Sequence, residues 1–137
     1  MQQNDFLFSL HMQVRDYECD LQGVVNNANY LHYLEHTRHQ FLLERGYSFA
    51  TLHQQDIDLF VSRIDIRYRQ PLRAGDSFLS CLSPQRQGPR LLFRQAIFRL
   101  LHDGSPDFRA DCVRSDVECV AVIEGRLSRG DFFDRLL

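Results

Sequence analysis

Residues 16–30 read Asp-Tyr-Glu-Cys-Asp-Leu-Gln-Gly-Val-Val-Asn-Asn-Ala-Asn-Tyr. A carboxylate, Asp20, stands just before a glycine turn at Gly23, and the chain then takes on helical periodicity. From about Asn27 to Arg45, Leu31, Leu34, Phe41 and Leu42 form an apolar stripe that Tyr30, Tyr33 and Thr37 widen. Asn26 or Asn27 is suited to accept from the first backbone N–H groups of that helix. Gly46 falls where a left-handed C-cap would end it, with Arg45 against its negative end.

The flanks of this helix read as strands. Phe6, Phe8, Leu10, Met12 and Val14 alternate with mostly polar neighbours, which predicts a strand over Phe6 to Val14. A short second helix is expected over Ser48 to Gln55. From Leu59 on, Ile64, Ile66 and Tyr68 alternate with Arg63, Asp65, Arg67 and Arg69, the pattern of a half-buried strand, which Pro71 and Gly75-Asp76 break. Further strands are predicted over Phe78 to Leu82, ended by Ser83-Pro84, and over Leu91 to Leu101, after a Gly88-Pro89 turn. Asp103-Gly104 signals a hairpin into a last strand over Phe108 to Ile123. Its end, Cys119 to Ile123, is apolar on both faces, so it belongs centrally in a sheet or against a partner. A helical turn is expected over Asp131 to Leu137.

One long helix and about five strands predict a single α+β domain over residues 1–137. The economical packing lays the helix across the concave face of a curved antiparallel sheet. Open sheet edges invite the pairing of two copies, so a homodimer or homotetramer is expected.

Hydrophobic residues make up 44% of the chain, enough for a packed interior. The formal net charge is −2, and the sixteen basic residues, all arginine, are spread along the chain. That balance argues against nonspecific nucleic-acid binding, while arginine suits a phosphate-bearing small molecule. The four cysteines, Cys19, Cys81, Cys112 and Cys119, lack CxxC spacing and read as buried free thiols. Met1 to Leu10 lacks the pattern of a signal peptide, and no run reaches the length of a membrane span, so a cytoplasmic location is expected.

The chemistry gathers in residues 16–30. The first N–H groups of a helix lack internal partners and carry partial positive charge. A carbonyl placed there is polarised, and its tetrahedral oxyanion is stabilised further. Gly23 permits close backbone approach, and Asp20 can then attack the carbonyl or activate a water. The plain alternative is that Asp20 caps a turn and the asparagines cap the helix. Asp16 and Tyr17 are second-rank: two neighbouring carboxylates can raise one pKa, and the Tyr17 hydroxyl can orient one.

The segment Val14 to Glu35, with Asp20, Gly23, Val24, Val25, Asn29 and Tyr30 in register, resembles the 4-hydroxybenzoyl-CoA thioesterase family of hot-dog proteins. Tyr68 to Asp76, Tyr-Arg-Gln-Pro-Leu-Arg-Ala-Gly-Asp, resembles the family's second signature. The resemblance implies the hot-dog fold, a dimer or tetramer, and hydrolysis of acyl-CoA to a carboxylic acid and free coenzyme A. It implies Asp20 as nucleophile or general base and the Asn27 backbone N–H as oxyanion donor. Tyr17, Gly23 and Val24 would border the substrate. There is a departure, because several relatives carry His at the position of Asn27 and some carry Tyr at that of Asp16. An asparagine side chain only hydrogen-bonds, so the mechanism left is carboxylate plus backbone. Glu35, on the helix, is the fallback base.

Coenzyme A would arrive as part of the substrate, with no separate cofactor, and Arg86 and Arg90 beside the Gly88-Pro89 turn are candidates for its phosphates. His32-Tyr33-Leu34-Glu35-His36 spells H-x-x-E-H, and its histidines share a helix face. No third ligand is evident, so a polar face without metal is expected, His39 included. Two rivals stand beside the acyl-CoA reading: a thioesterase acting on acyl-carrier protein, and a non-catalytic acyl-CoA-binding module.

Overall fold

The computed structural model describes residues 5–137. Six strands and two α-helices follow in the order β1 (Phe8–Gln13), α1 (Asn27–Glu44), α2 (Phe49–Gln54), β2 (Ile57–Tyr68), β3 (Ser77–Gln87), β4 (Arg90–Leu100), β5 (Pro106–Ile123) and β6 (Arg126–Leu127). Short 3-10 turns occupy Asp16–Glu18 and Asp131–Leu136. The strands form one antiparallel sheet in the order β1-β3-β4-β5-β2, with β6 added to β5. The sheet curls around α1, the hot-dog arrangement that the resemblance implies.

Helix α1 starts where the asparagines allow: Asn26 is extended and its side chain accepts from the Ala28 N–H at 2.9 Å. It stops at Gly46, whose φ of 88° ordinary side chains avoid. The carbonyls of the last turn accept from Gly46 and Tyr47. One face of α1 packs into two apolar clusters on the concave side of the sheet. Tyr30, Tyr33 and Leu34 meet Phe78, Ile97 and Val113 in the first. Phe41 and Leu42 meet Leu82, Leu91, Phe93 and Val117 in the second. Between the clusters the stripe turns polar, a change that periodicity missed. Thr37 Oγ1 lies 2.7 Å from Ser80 Oγ. The buried Arg38 donates to Gln95 Oε1 at 2.9 Å, and Gln95 in turn donates to the Leu34 carbonyl.

Two strand expectations need correction. Ser83-Pro84 does not end β3, which continues to Gln87. β1 accompanies β3 only as far as Leu82, so Pro84 lies where β3 is an edge, and an edge tolerates a residue with no N–H to donate. β2 begins at Ile57 and is less covered than a half-buried strand, with Ile64 40% and Tyr68 45% exposed. Ile64 and Tyr68 lie opposite the buried Val117 and Val113, so they share the concave face. Helix α1 packs mainly over β3 and reaches β2 only near its start, through Tyr30 and Asn27 at Tyr68, while α2 packs on β2. Part of the concave face of β2 is therefore left uncovered. β5, between β4 and β2, takes the central place its apolar end predicts.

The C-terminal turn closes the end of the sheet beyond α1, burying Phe132, Phe133 and Leu136 in the second cluster. Arg86 secures it, donating to Asp134 Oδ2 at 2.7 Å, to Asp131 Oδ1 at 3.0 Å, and to the Arg129 and Gly88 carbonyls. Gly130 passes so close that an added Cβ would lie 2.3 Å from the Gly88 oxygen, at a φ of 99°. Gly130→Ala is thus expected to lower stability by about 1–3 kcal/mol, read as a drop in the urea unfolding midpoint.

Candidate active site

The two signature segments fold against each other. Val25 N–H donates to the Leu72 carbonyl at 2.9 Å, Leu72 N–H donates to the Tyr30 hydroxyl at 2.9 Å, and Val24 bridges Arg73. The second signature therefore buttresses both the loop and the first turn of α1. Gly75 is the turn that makes this possible, with a φ of 84° and its N–H on the Val14 carbonyl.

The loop folds back on itself before the helix. Cys19 bridges Val25, Asp20 N–H donates to the Val24 carbonyl at 2.9 Å, and Gly23 N–H donates to the Asp20 carbonyl at 3.0 Å. Gly23, at φ 79°, supplies the reversal. The Asp20 carboxylate is exposed, and its Oδ1 accepts from the Gln22 N–H at 2.9 Å. Oriented to pair donor with acceptor, the Gln22 side-chain amide also reaches Oδ1 and Oδ2 at 2.9 and 3.1 Å.

At the helix start, the Asn26 side chain takes the Ala28 N–H and the Asn26 carbonyl takes the Asn29 N–H. Among the described residues the Asn27 N–H meets no protein acceptor, which leaves it open to a ligand. Beside it is a cleft of about 200 Å³, lined by Val24, Val25, Asn27, Tyr30, Tyr68 and residues 69–71. The Tyr68 hydroxyl donates to the Asn27 carbonyl at 3.4 Å, and its ring lies 5.6 Å from that of Tyr30. Asp20 stands outside this lining, on the exposed side of the loop.

The other candidates are scattered. Tyr17 is 79% exposed and points away from the protein, and Asp16 is exposed as well. Glu35 pairs with His39 at 3.7 Å on the outer face of α1. Burial beside Phe49 holds the His39 imidazole below its usual range. His32 and His36 are exposed, and no metal-binding cluster occurs among the described residues. Arg86 is committed to the C-terminal turn, whereas Arg90 is exposed, 4.0 Å from Glu118. Their turn packs with the C-terminal half of α1, at the end of the sheet away from Asn27.

Sequence reasoning missed Glu18. It is only 8% exposed, and its carboxylate accepts from the Tyr33 hydroxyl at 2.8 Å and the Arg15 N–H at 2.7 Å. Its carbonyl accepts from Asn29 Nδ2 and the Asn26 N–H. The only hint in the sequence is that Asn29 and Tyr33 are one turn apart on one helix face. Burial, and then the Glu18 carboxylate, push the Tyr33 phenol far above its ordinary pKa. Burial also raises the Cys81 thiol to about 12 and the Cys119 thiol to about 11.

A sequence profile of the Thioesterase-like superfamily matches residues 14–116, from the end of β1 into β5. The chain belongs to the thioesterase-like superfamily. It is 36% identical over 92 residues to an acyl-acyl carrier protein thioesterase, ATL3, of Arabidopsis thaliana, covering 66% of this chain and 48% of that one. It is 38% identical over 65 residues to the long-chain acyl-CoA thioesterase FadM of Escherichia coli, covering 47% and 48%. This thioesterase-like chain thus spans about half the length of these curated relatives. A solved structure of a hypothetical protein from Aquifex aeolicus superposes with a TM-score of 0.81 at 20% identity, covering 95% of this chain and 99% of that one, a likeness of fold.

Arg86→Ala is expected to lower stability by roughly 1–2 kcal/mol, because four hydrogen bonds are lost, three of them to the C-terminal segment. Thermal unfolding of the variant beside the wild type checks this.

Proposed function

We propose that the protein is an acyl-CoA thioesterase in which Asp20 drives hydrolysis and the N-terminus of α1 holds the developing oxyanion. The observation that carries this reading is the unmatched Asn27 N–H, at the positive end of a helix, above a loop that bears an exposed carboxylate. A thioester carbonyl hydrogen-bonded to that N–H becomes more electrophilic. Asp20 then attacks it, giving a mixed anhydride that water opens, or takes the proton of an attacking water. In both routes the C–S bond breaks, the thiolate of coenzyme A leaves, and a carboxylic acid remains. Incorporation of labelled solvent oxygen into Asp20 distinguishes the two. Gln22, which contacts the same carboxylate, yields to the reacting group.

The cleft of about 200 Å³ is small for an acyl-CoA site. The uncovered concave face of β2, with Val61, Ile64 and Tyr68 exposed, supplies the rest once another chain covers it. We therefore place a homodimer contact along β2, with a tetramer as a further assembly. Antiparallel pairing about the middle of β2 carries the second copy's Gly88-Pro89 turn toward Asn27, since Arg90 registers with Val120 and Val120 with Phe60. Arg90 is then the candidate for a phosphate of coenzyme A.

The rival substrate, a carrier-protein thioester, has the support of the Arabidopsis relative, and the E. coli relative supports coenzyme A. The four unpaired cysteines fit a reducing, cytoplasmic compartment. Among the described residues no helix is long and apolar enough to cross a membrane. A pure binder would have no use for the carboxylate at this position, so Asp20→Asn separates it from an enzyme. Asp20→Asn is expected to cut kcat by about 10²-fold or more on a panel of CoA thioesters. Wild-type turnover by the folded variant would remove Asp20 from the mechanism. Ile64→Arg is expected to yield monomers in size-exclusion chromatography with light scattering, with a matching fall in kcat/KM.

A further inference from the structure

We propose that Glu18 is the positioning residue of this site: its buried carboxylate, gripped by Tyr33, holds the Asp20 loop against the start of α1. The inference rests on the role of Asp20 proposed above. Beyond the backbone hydrogen bonds that stitch it to itself and to the second signature, the loop has little to fix it. Arg15, Asp16, Tyr17, Asp20, Leu21, Gln22 and Gly23 are all exposed, so almost no apolar burial ties this stretch down. A carboxylate on such a loop would wander, and a misplacement of about 1 Å costs on the order of 10²-fold in rate.

Glu18 supplies the missing constraint from both ends of the residue. Its side chain reaches the Tyr33 hydroxyl on the second turn of α1, and its carbonyl takes Asn29 Nδ2 and the Asn26 N–H at the first turn. The contact to the Arg15 N–H at 2.7 Å closes the turn from the other side. Only Cys19 separates Glu18 from Asp20, and it is held by its bridge to Val25. Asp20 itself is fixed at its N–H by Val24. A continuous hydrogen-bonded path thus runs from the body of the helix to the backbone of the reacting residue. The same helix presents the Asn27 N–H, so carboxylate and oxyanion donor share one rigid reference.

The chemistry requires an acceptor at this position. A leucine would fill the volume but leave the Tyr33 O–H and the Arg15 N–H buried without acceptors. A glutamine keeps both bonds through its one oxygen, because both donors meet Oε1, and it gives up only the Arg15 guanidinium, which lies 3.3 Å from Glu18 Oε2. Tyr33, whose phenol stays protonated at any working pH, is a dependable donor.

The test is a cycle of Tyr33→Phe and Glu18→Gln, each in the wild-type and Asp20→Asn backgrounds. The assay follows thiol release from the fastest substrate among acetyl-, octanoyl-, palmitoyl- and 4-hydroxybenzoyl-CoA. Tyr33→Phe is expected to lower kcat about tenfold with KM changed by less than about twofold, and to cost nothing further once Asp20 is Asn. Glu18→Gln, which keeps an oxygen for both donors, is expected to hold kcat within about twofold of wild type, with circular dichroism confirming the fold of every variant; Tyr33→Phe removes a single oxygen and keeps the ring packing. Wild-type kcat in Tyr33→Phe, a rise in KM alone, or an equal fractional loss in both backgrounds overturns the clamp and leaves Asp20 catalytic. Wild-type turnover in Asp20→Asn overturns both assignments together.

Discussion

The first N–H groups of α1 have no earlier helical turn to accept them, and the surroundings of that helix are arranged by how each donor is used. Asn26 takes two of them, through its side chain and its carbonyl. The one just before them, on Asn27, faces a small cleft unspent. The loop and the second signature are stitched to each other and to Tyr30 around this point. A helix end that was fully capped, or buried in the sheet, would offer no electrophilic seat. The fold keeps one donor open by building a frame of hydrogen bonds around it.

Much of this frame was legible in the sequence, because it rests on residues whose preferences are local. The asparagine cap, the glycine C-cap, the hairpin at Gly104 and the central β5 follow from side-chain chemistry and period alone. What was not legible depends on neighbours distant in the chain. Pro84 reads as a strand end until the register shows that β1 no longer flanks it. Ile64 and Tyr68 read as half-buried, yet their cover depends on how far α1 extends across the sheet.

The site divides along the same line. Asp20, Gly23 and the helix start are contiguous, so a pattern of residue types can suggest them. Glu18 looks like one more acid in a polar loop until Tyr33 is folded onto it. Arg86 looks like an exposed turn arginine, free for a phosphate, until the C-terminal turn packs beneath it with Asp131 and Asp134. Arginine in a loop has many partners open to it, and only tertiary structure says which one it takes.

A helix lying on an apolar sheet resists sliding only weakly, since one greasy surface is much like the next. The pairs Arg38–Gln95 and Thr37–Ser80, set between the two clusters, change that. A displacement by one turn would strand a guanidinium among hydrocarbon, a cost far above that of repacking methyl groups. These pairs act as an alignment key, and they lie about 16 Å along the axis from the helix start. The depth at which the start of α1, with the Asn27 N–H, stands against the sheet is therefore indexed from the middle of the helix, about three turns away.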